Sequence, residues 1–244
     1  MSGMNSFNIG NGFGFSGIGI DKLEASEYAL ATIAVDVTGS VDGFEGELLD
    51  MLKASVEACK MSPNSDKLMI RVILFSSFFP NGVKEVHGFK PVVEIDMSDY
   101  QDLHPNGKTP LYDATFSAVG ASNTYAKQLF DEDYSVNSIE IIITDGYDNT
   151  STMTSASVKD EIRKPLQEEW LESRVSILIG INARQYLQYL EAFKDEAGID
   201  QFIDAGDVTP AMLAKLGQFI SQSINSQSQA LGTGGPSQNI ALTI

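Results

Sequence analysis

Five oxygen-bearing side chains stand where a hard cation could use them. Asp36, Thr38 and Ser40 alternate through Asp36-Val37-Thr38-Gly39-Ser40, directly after the apolar run Ile33-Ala34-Val35. Thr109 precedes Pro110 at the start of a predicted helix, and Asp145 follows the run Ile139-Glu140-Ile141-Ile142-Ile143-Thr144. Magnesium takes oxygen ligands and keeps several of its waters, so a strand running out into an oxygen-rich turn suits it. Manganese and calcium accept the same donor types. Each residue also has an ordinary alternative. Thr109 serves equally well as a helix cap, Ser40 as a turn residue and Asp145 as an anion facing a helix. The case for a metal is therefore joint, because three segments far apart in sequence must meet.

The elements that would bring them together can be read from periodicity. Asp36 ends a buried strand containing Leu30, Ile33, Ala34 and Val35. Asp42 with Glu45 three positions on reads as a capping box. Behind it Phe44, Leu48, Met51, Leu52, Val56 and Cys59 recur at helical spacing, up to a stop at Ser62-Pro63-Asn64. Residues 67–75 read as a buried strand. Asn81-Gly82 is a hairpin signal that returns residues 83–89 antiparallel as an edge strand. Thr109 as N-cap and Pro110 at the first helical position open a helix with Leu111, Thr115, Ala118, Ser122, Ala126 and Leu129 on one face. Residues 139–143 form a central strand, apolar at nearly every position, as in a parallel sheet covered on both sides. A helix over 157–172 with a kink at Pro165 follows, then a strand over 175–181. Asn182 caps a helix bearing Leu187, Leu190 and Phe193, residues 201–204 make a last strand, and Thr209-Pro210 opens a final helix. Strands alternating with helices predict an α/β doubly wound fold: a mostly parallel open sheet with one antiparallel edge strand and helices on both faces. Ligands of such sheets bind outside the carboxyl ends of the strands, where Asp36 and Asp145 fall.

Composition narrows the classes. The chain has 244 residues, with 16 Lys plus Arg against 33 Asp plus Glu and a formal charge of −17. A field of that sign repels phosphates, which excludes nucleic acid and anionic lipid as partners and favours cations and basic protein surfaces. The single cysteine, Cys59, rules out an intrachain disulfide framework. No basic leader, no apolar leader core and no membrane-length apolar stretch is visible, so the expected compartment is the cytoplasm. Residues 1–20, rich in Gly and Phe, are expected to form a flexible or docking arm, 21–228 the domain and 229–244 a tail. Gly12, Gly14 and Gly17 match GxGxxG, but no strand precedes them and no helix follows, so a dinucleotide site is not read there.

Three segments together resemble a known family. Asp36-Val37-Thr38-Gly39-Ser40 is similar to the DxSxS motif of von Willebrand factor A domains. Gly107-Lys108-Thr109-Pro110-Leu111-Tyr112-Asp113-Ala114 resembles the family's threonine-bearing segment, and Thr144-Asp145-Gly146-Tyr147-Asp148-Asn149 its Asp-Gly segment. The resemblance covers about residues 28–225 and implies a metal-ion-dependent adhesion site. It further implies that Ser40 and Thr38 bind the cation directly, with Thr109 joining in the high-affinity arrangement. Asp36 and Asp145 would hold the cation's waters, and the open position would take an Asp or Glu of a partner protein. Thr38 departs from the usual serine but keeps the hydroxyl, and Lys108 stands where the family often has glycine. The short segments look most like intracellular bacterial members, some of which work beside AAA-type ATPases or in stress-response gene sets.

Other classes are weaker. A strand ending in Asp resembles the dehalogenase-type phosphotransferases, but Thr38 stands where their second Asp is needed. Gly107-Lys108-Thr109 has Asp102 at the first glycine of a P-loop, and Pro110 follows it. The only histidines are His87 and His104, and no Ser-His-Asp or Cys-His arrangement falls at the strand ends. The expectation is a non-catalytic module, with a metal-dependent phosphohydrolase as the lesser alternative. A structural role is the other rival: the arm would mediate self-association by adding to an exposed strand such as 83–89 of a neighbour.

Overall fold

The structure, a computed structural model, describes residues 3–233. Eight strands form one sheet: β1 (Met4–Gly10), β2 (Phe13–Ile18), β3 (Glu27–Asp36), β4 (Leu68–Phe75), β5 (Val83–Pro91), β6 (Ser135–Thr144), β7 (Ser173–Gly180) and β8 (Gln201–Asp204). Five helices accompany them: α1 (Glu45–Lys60), α2 (Leu111–Phe130), α3 (Ser155–Gln167), α4 (Leu187–Ala197) and α5 (Pro210–Thr233). The strand order is β1-β2-β5-β4-β3-β6-β7-β8. From β4 through β3, β6, β7 and β8 every neighbour is parallel, whereas β5 runs antiparallel to β4. This is the mixed, mostly parallel α/β sheet with an antiparallel margin that the element pattern predicts.

Alternation along β3 shows why both faces are covered. Ala29, Ala31, Ile33 and Val35 face the layer made by α1 and α5, while Leu30 and Ala34 face the layer made by α2, α3 and α4. Successive side chains of a strand point to opposite faces, so a strand apolar at both parities must be buried twice. Chain order reverses at β3: β4 lies on one side and β6 on the other. The crevice at such a switch point is where open α/β sheets bind ligands.

The amino-terminal segment differs from the expected arm. Residues 4–18 fold as a hairpin whose second strand joins β5 in parallel, Gly17 opposite Phe89. Asn11 and Gly12 both have positive φ, 53° and 85°, as a tight turn between twisted strands requires. Phe13, Phe15 and Ile18 are buried, and Tyr125 of α2 donates its hydroxyl to the Ile18 carbonyl at 2.8 Å. Gly88 permits the approach, since a Cβ there would stand 1.9 Å from the Ser16 carbonyl oxygen. Glu85 fastens the hairpin: it accepts from the Ser16 amide at 3.0 Å and pairs with the fully buried Arg71 at 2.8 Å. Residues 83–89 are thus no open edge, because β2 covers them.

Smaller expectations also shift. Gly43, at φ 100°, turns the chain between Asp42 and α1, so Asp42 does not cap that helix; Glu45 instead accepts from the Gly43 amide at 2.6 Å. Asn182 takes φ 51° and ties its side chain to the Val208 amide at 2.7 Å, and α4 starts only at Leu187. Of the expected tail, residues 229–233 continue α5, and 234–244 lie outside the described residues.

Candidate metal centre

The five residues singled out above meet at the carboxyl ends of β3 and β6. Asp36 is the last residue of β3 and is almost fully buried, and its carboxylate is held at both ends. Its Oδ1 accepts from the Thr38 amide at 2.9 Å and its Oδ2 from the Thr144 hydroxyl at 2.7 Å. The Thr38 and Ser40 hydroxyls lie 3.2 Å apart. Ser40 donates to Asp145 Oδ1 at 2.8 Å, bridging loops separated by more than a hundred residues. Alternation brings Asp36, Thr38 and Ser40 to one side, because the chain stays extended at Thr38 before a tight turn over Gly39–Val41.

Thr109 arrives on a separate loop, and its backbone explains its freedom. Pro110, not Thr109, occupies the cap position of α2. The Thr109 amide donates to Asn149 Oδ1 at 2.9 Å, and its carbonyl accepts from the Asn149 amide at 3.1 Å. Among the described residues no protein hydrogen bond engages the Thr109 hydroxyl, which is available to a ligand. The loop is anchored from the other side as well: Gly39 donates to the Gly107 carbonyl at 3.2 Å, and Ser77 to the Lys108 carbonyl at 2.9 Å. Gly107, at φ 81°, must be glycine there, since a Cβ would sit 2.6 Å from Ser76 Oγ.

The electrostatics of this corner are set by two neighbouring carboxylates. Burial first, and the charge of Asp145 second, push the Asp36 carboxyl up to about 7. Burial likewise raises Asp145, partly offset by the hydrogen bond from Ser40 and one from its own backbone. Two facing carboxylates with little solvent are costly when ionised, and a divalent ion removes that cost. Among the described residues no group of three or more His, Cys, Asp or Glu side chains is placed to hold a metal. A cation here would therefore rest on hydroxyls and two carboxylates, a hard oxygen set that fits Mg²⁺ or Mn²⁺ better than a thiolate- or imidazole-seeking ion.

The site opens into a cleft of about 420 Å³ whose lining includes Thr38, Ser40, Thr109 and Asp145. Lys108, Tyr147, Gln185 and Tyr186 form part of its walls. Neither histidine lines it. His104 borders a different cavity beside Tyr100, and His87 is buried with its ring bonded to the Tyr100 hydroxyl at 2.7 Å. Thr144 is the contributor that the motif reading passes over, since as the last strand residue it looks like core. Gln185 and Tyr186 belong to the loop after β7, and only their place beyond a strand end points to the site.

No family model matches the sequence, and no curated relative does. Solved structures do match in fold. The pilus adhesin SpaC from Lactobacillus rhamnosus GG, in its open conformation, superposes with a TM-score of 0.55 at 10% identity, over 84% of this chain and 31% of that one. Proximal thread matrix protein 1 from the mussel byssus gives 0.52 at 14% identity, over 84% and 47%. A form of the same byssal protein described as having a zinc-occupied MIDAS motif gives 0.53 at 16%. This chain thus spans less than half the length of these structures. The neighbours are a pilus adhesin and a byssal matrix protein, so the likeness supports the fold and not an intracellular bacterial grouping. The chain has the von Willebrand A-like fold.

Proposed function

We propose that this chain is a metal-ion-dependent protein-interaction module that binds an acidic side chain of a partner through Mg²⁺. The observation that carries the reading is the convergence of Ser40 on Asp145 at 2.8 Å and on Thr38 at 3.2 Å, beneath an open cleft. The Thr38, Ser40 and Thr109 hydroxyls would hold the ion, while Asp36 and Asp145 balance its charge and orient its waters. A divalent ion so held offers electrostatic attraction to a further carboxylate. The zinc-bearing motif of the byssal neighbour supports divalent metal binding as the use of this corner of the fold. Thr144 keeps Asp36 oriented, and Asn149 keeps Thr109 presented. The site is read as non-catalytic: among the described residues neither histidine lines the cleft, and Asp145 is the one carboxylate on its lining.

The test has two stages. Mg²⁺ added to chelator-treated protein is expected to stabilise it by about 2.7 kcal/mol at a hundred times the dissociation constant. Ser40→Ala with Thr109→Ala is expected to remove that shift without loss of the fold. Immobilised protein should then retain Glu-bearing peptides in Mg²⁺ and release them to chelator, with the Gln versions not retained. A metal response unchanged in the double variant, or turnover of phosphate esters abolished by Asp36→Ala, would reject the reading.

A further inference from the structure

The sheet ends in two unlike margins. β8 is four residues long, with Asp200 just before it and Asp204 as its last residue. Short strands marked by charge keep an exposed edge from pairing with another chain. At the other margin β1 is seven residues long, and residues 3–18, which include both hairpin strands, contain no charged side chain and no proline. Asn5, Ser6 and Asn8 are exposed, and among the described residues no strand lies beyond β1. An uncharged edge on a chain of −17 is the reverse of the usual protection.

Two hydrogen bonds fix which backbone groups that edge offers. The Gly19 amide donates to the Gly3 carbonyl at 3.2 Å, and the Ser16 amide turns away from β1 to Glu85 at 3.0 Å. Opposed residues of an antiparallel pair alternate between bonded and unbonded, and Ser6 lies opposite Ser16. Gly3, Asn5 and Phe7 therefore direct their N–H and C=O groups to β2, whereas those of Met4, Ser6 and Asn8 point out of the sheet. The pairing is regular from Met4 to Asn8 and shifts register only beside the turn.

We infer that β1 pairs antiparallel with β1 of a second copy of this chain, about a two-fold axis at Ser6. This register sets Met4 opposite Asn8 and Ser6 opposite itself, so all three outward residues of each strand fall in bonded pairs. A slip of one residue sets outward groups against inward ones, and a slip of two leaves Met4 or Asn8 without its counterpart. Charge selects the occupant. Two molecules at −17 repel over most of their surfaces, and here they meet where neither carries a charge. Small Ser6 side chains flank the axis, and Asn5 stands against Phe7. The two-fold pairing uses both open edges and closes at a dimer. It is independent of the metal reading.

The test uses the full-length chain in ~0.15 M salt, which screens the general repulsion. Sedimentation equilibrium from micromolar to millimolar protein is expected to show the mean mass rising to twice the chain mass and no further. Ser6→Pro removes an N–H that faces outward and leaves the β2 ladder whole, so this variant should melt as wild type does and stay monomeric. Ser6→Cys tests the register. The two Ser6 Cα atoms would stand about 5.5 Å apart, inside the range of about 4.4–6.8 Å that a disulfide bridges. The two Asn8 positions would lie about 13 Å apart along the strands. Mild oxidation should therefore link Ser6→Cys into dimers at least about tenfold faster than Asn8→Cys, and the buried Cys59 does not compete. If Ser6→Pro fails to fold, this comparison decides. A mass that stays at one chain, a mass that grows beyond two, dimers of folded Ser6→Pro protein, or linkage no faster at Ser6 than at Asn8 overturns the inference.

Discussion

At the residue scale the centre is organised by Asp36. Its carboxylate is tied down by the Thr38 amide and the Thr144 hydroxyl, which fix its position before any ligand binds. Its raised ionisation has a definite consequence. Because the folded value of about 7 lies above the ordinary one, Asp36 contributes stability to the metal-free protein that is full below about pH 4. That contribution is lost as pH rises through about 7. Metal binding needs the carboxylate form, so the Mg²⁺-induced rise in Tm should be small near pH 5.5 and grow through about pH 7. Thermal melts with Mg²⁺ or chelator at pH 5.5, 6.5 and 7.5 check this, and a shift independent of pH would count against Asp36 facing the ion. Thr144→Val should lower Mg²⁺ affinity several-fold by freeing one carboxylate oxygen, with the fold intact. In the sequence, Asp36, Thr38, Ser40, Thr109 and Asp145 were legible because side-chain type and strand ends pointed to one corner. Thr144 and Asn149 were not, since their roles act through contacts between distant segments that no local spacing records.

At the element scale the lesson concerns the hairpin. Asn11-Gly12 carries the same turn signal as Asn81-Gly82, and Phe13 and Phe15 alternate as a half-buried strand should. Interspersed glycines disguised both. Gly14 and Gly17 look like flexibility, yet Gly17 leaves room for Tyr125, whose ring a Cβ would meet at 2.9 Å. Phe15→Ala is expected to destabilise the domain by about 3–5 kcal/mol, as for other buried aromatic truncations. A flexible arm would tolerate it, and chemical denaturation distinguishes the two. The strands were easier to read because an apolar run covered on both faces needs no turn chemistry to be recognised. Helix starts at Asp42 and Asn182 were misread because positive-φ residues, Gly43 and Asn182 itself, redirect the chain first. On β5, His87 is held by burial at about 4, below its ordinary value. With Nδ1–H donated to the Gly88 carbonyl, Nε2 accepts the Tyr100 hydroxyl. A lowered histidine contributes stability present above about pH 6.5 and lost as pH falls through about 4. His87→Gln should therefore shrink the stability difference between pH 7 and pH 5 in urea melts. An undiminished difference would mean that the acid sensitivity lies elsewhere.

At the scale of the whole molecule, one sheet carries two kinds of surface. The hairpin margin is bound internally through Arg71, Glu85 and the stacked pair Phe89 and Tyr125. The carboxyl ends at the β3–β6 switch point are left open and polar. Among the described residues no helix is long and apolar enough to cross a membrane. A charge of −17 draws divalent cations to the surface generally, so specific binding must be told apart from this diffuse attraction. Diffuse attraction is screened by salt, whereas an ion coordinated in the proposed site would not be displaced by ~0.15 M monovalent salt. The most direct measurement is therefore anomalous diffraction from crystals equilibrated with Mn²⁺ at that ionic strength. The account predicts one strong peak within about 2.0–2.6 Å of the Ser40 and Thr109 hydroxyl oxygens, with Asp36 and Asp145 around it, and no such peak in the Ser40→Ala, Thr109→Ala protein. A well-diffracting crystal with no peak between those side chains, or with its strongest peak elsewhere on the acidic surface, would contradict it.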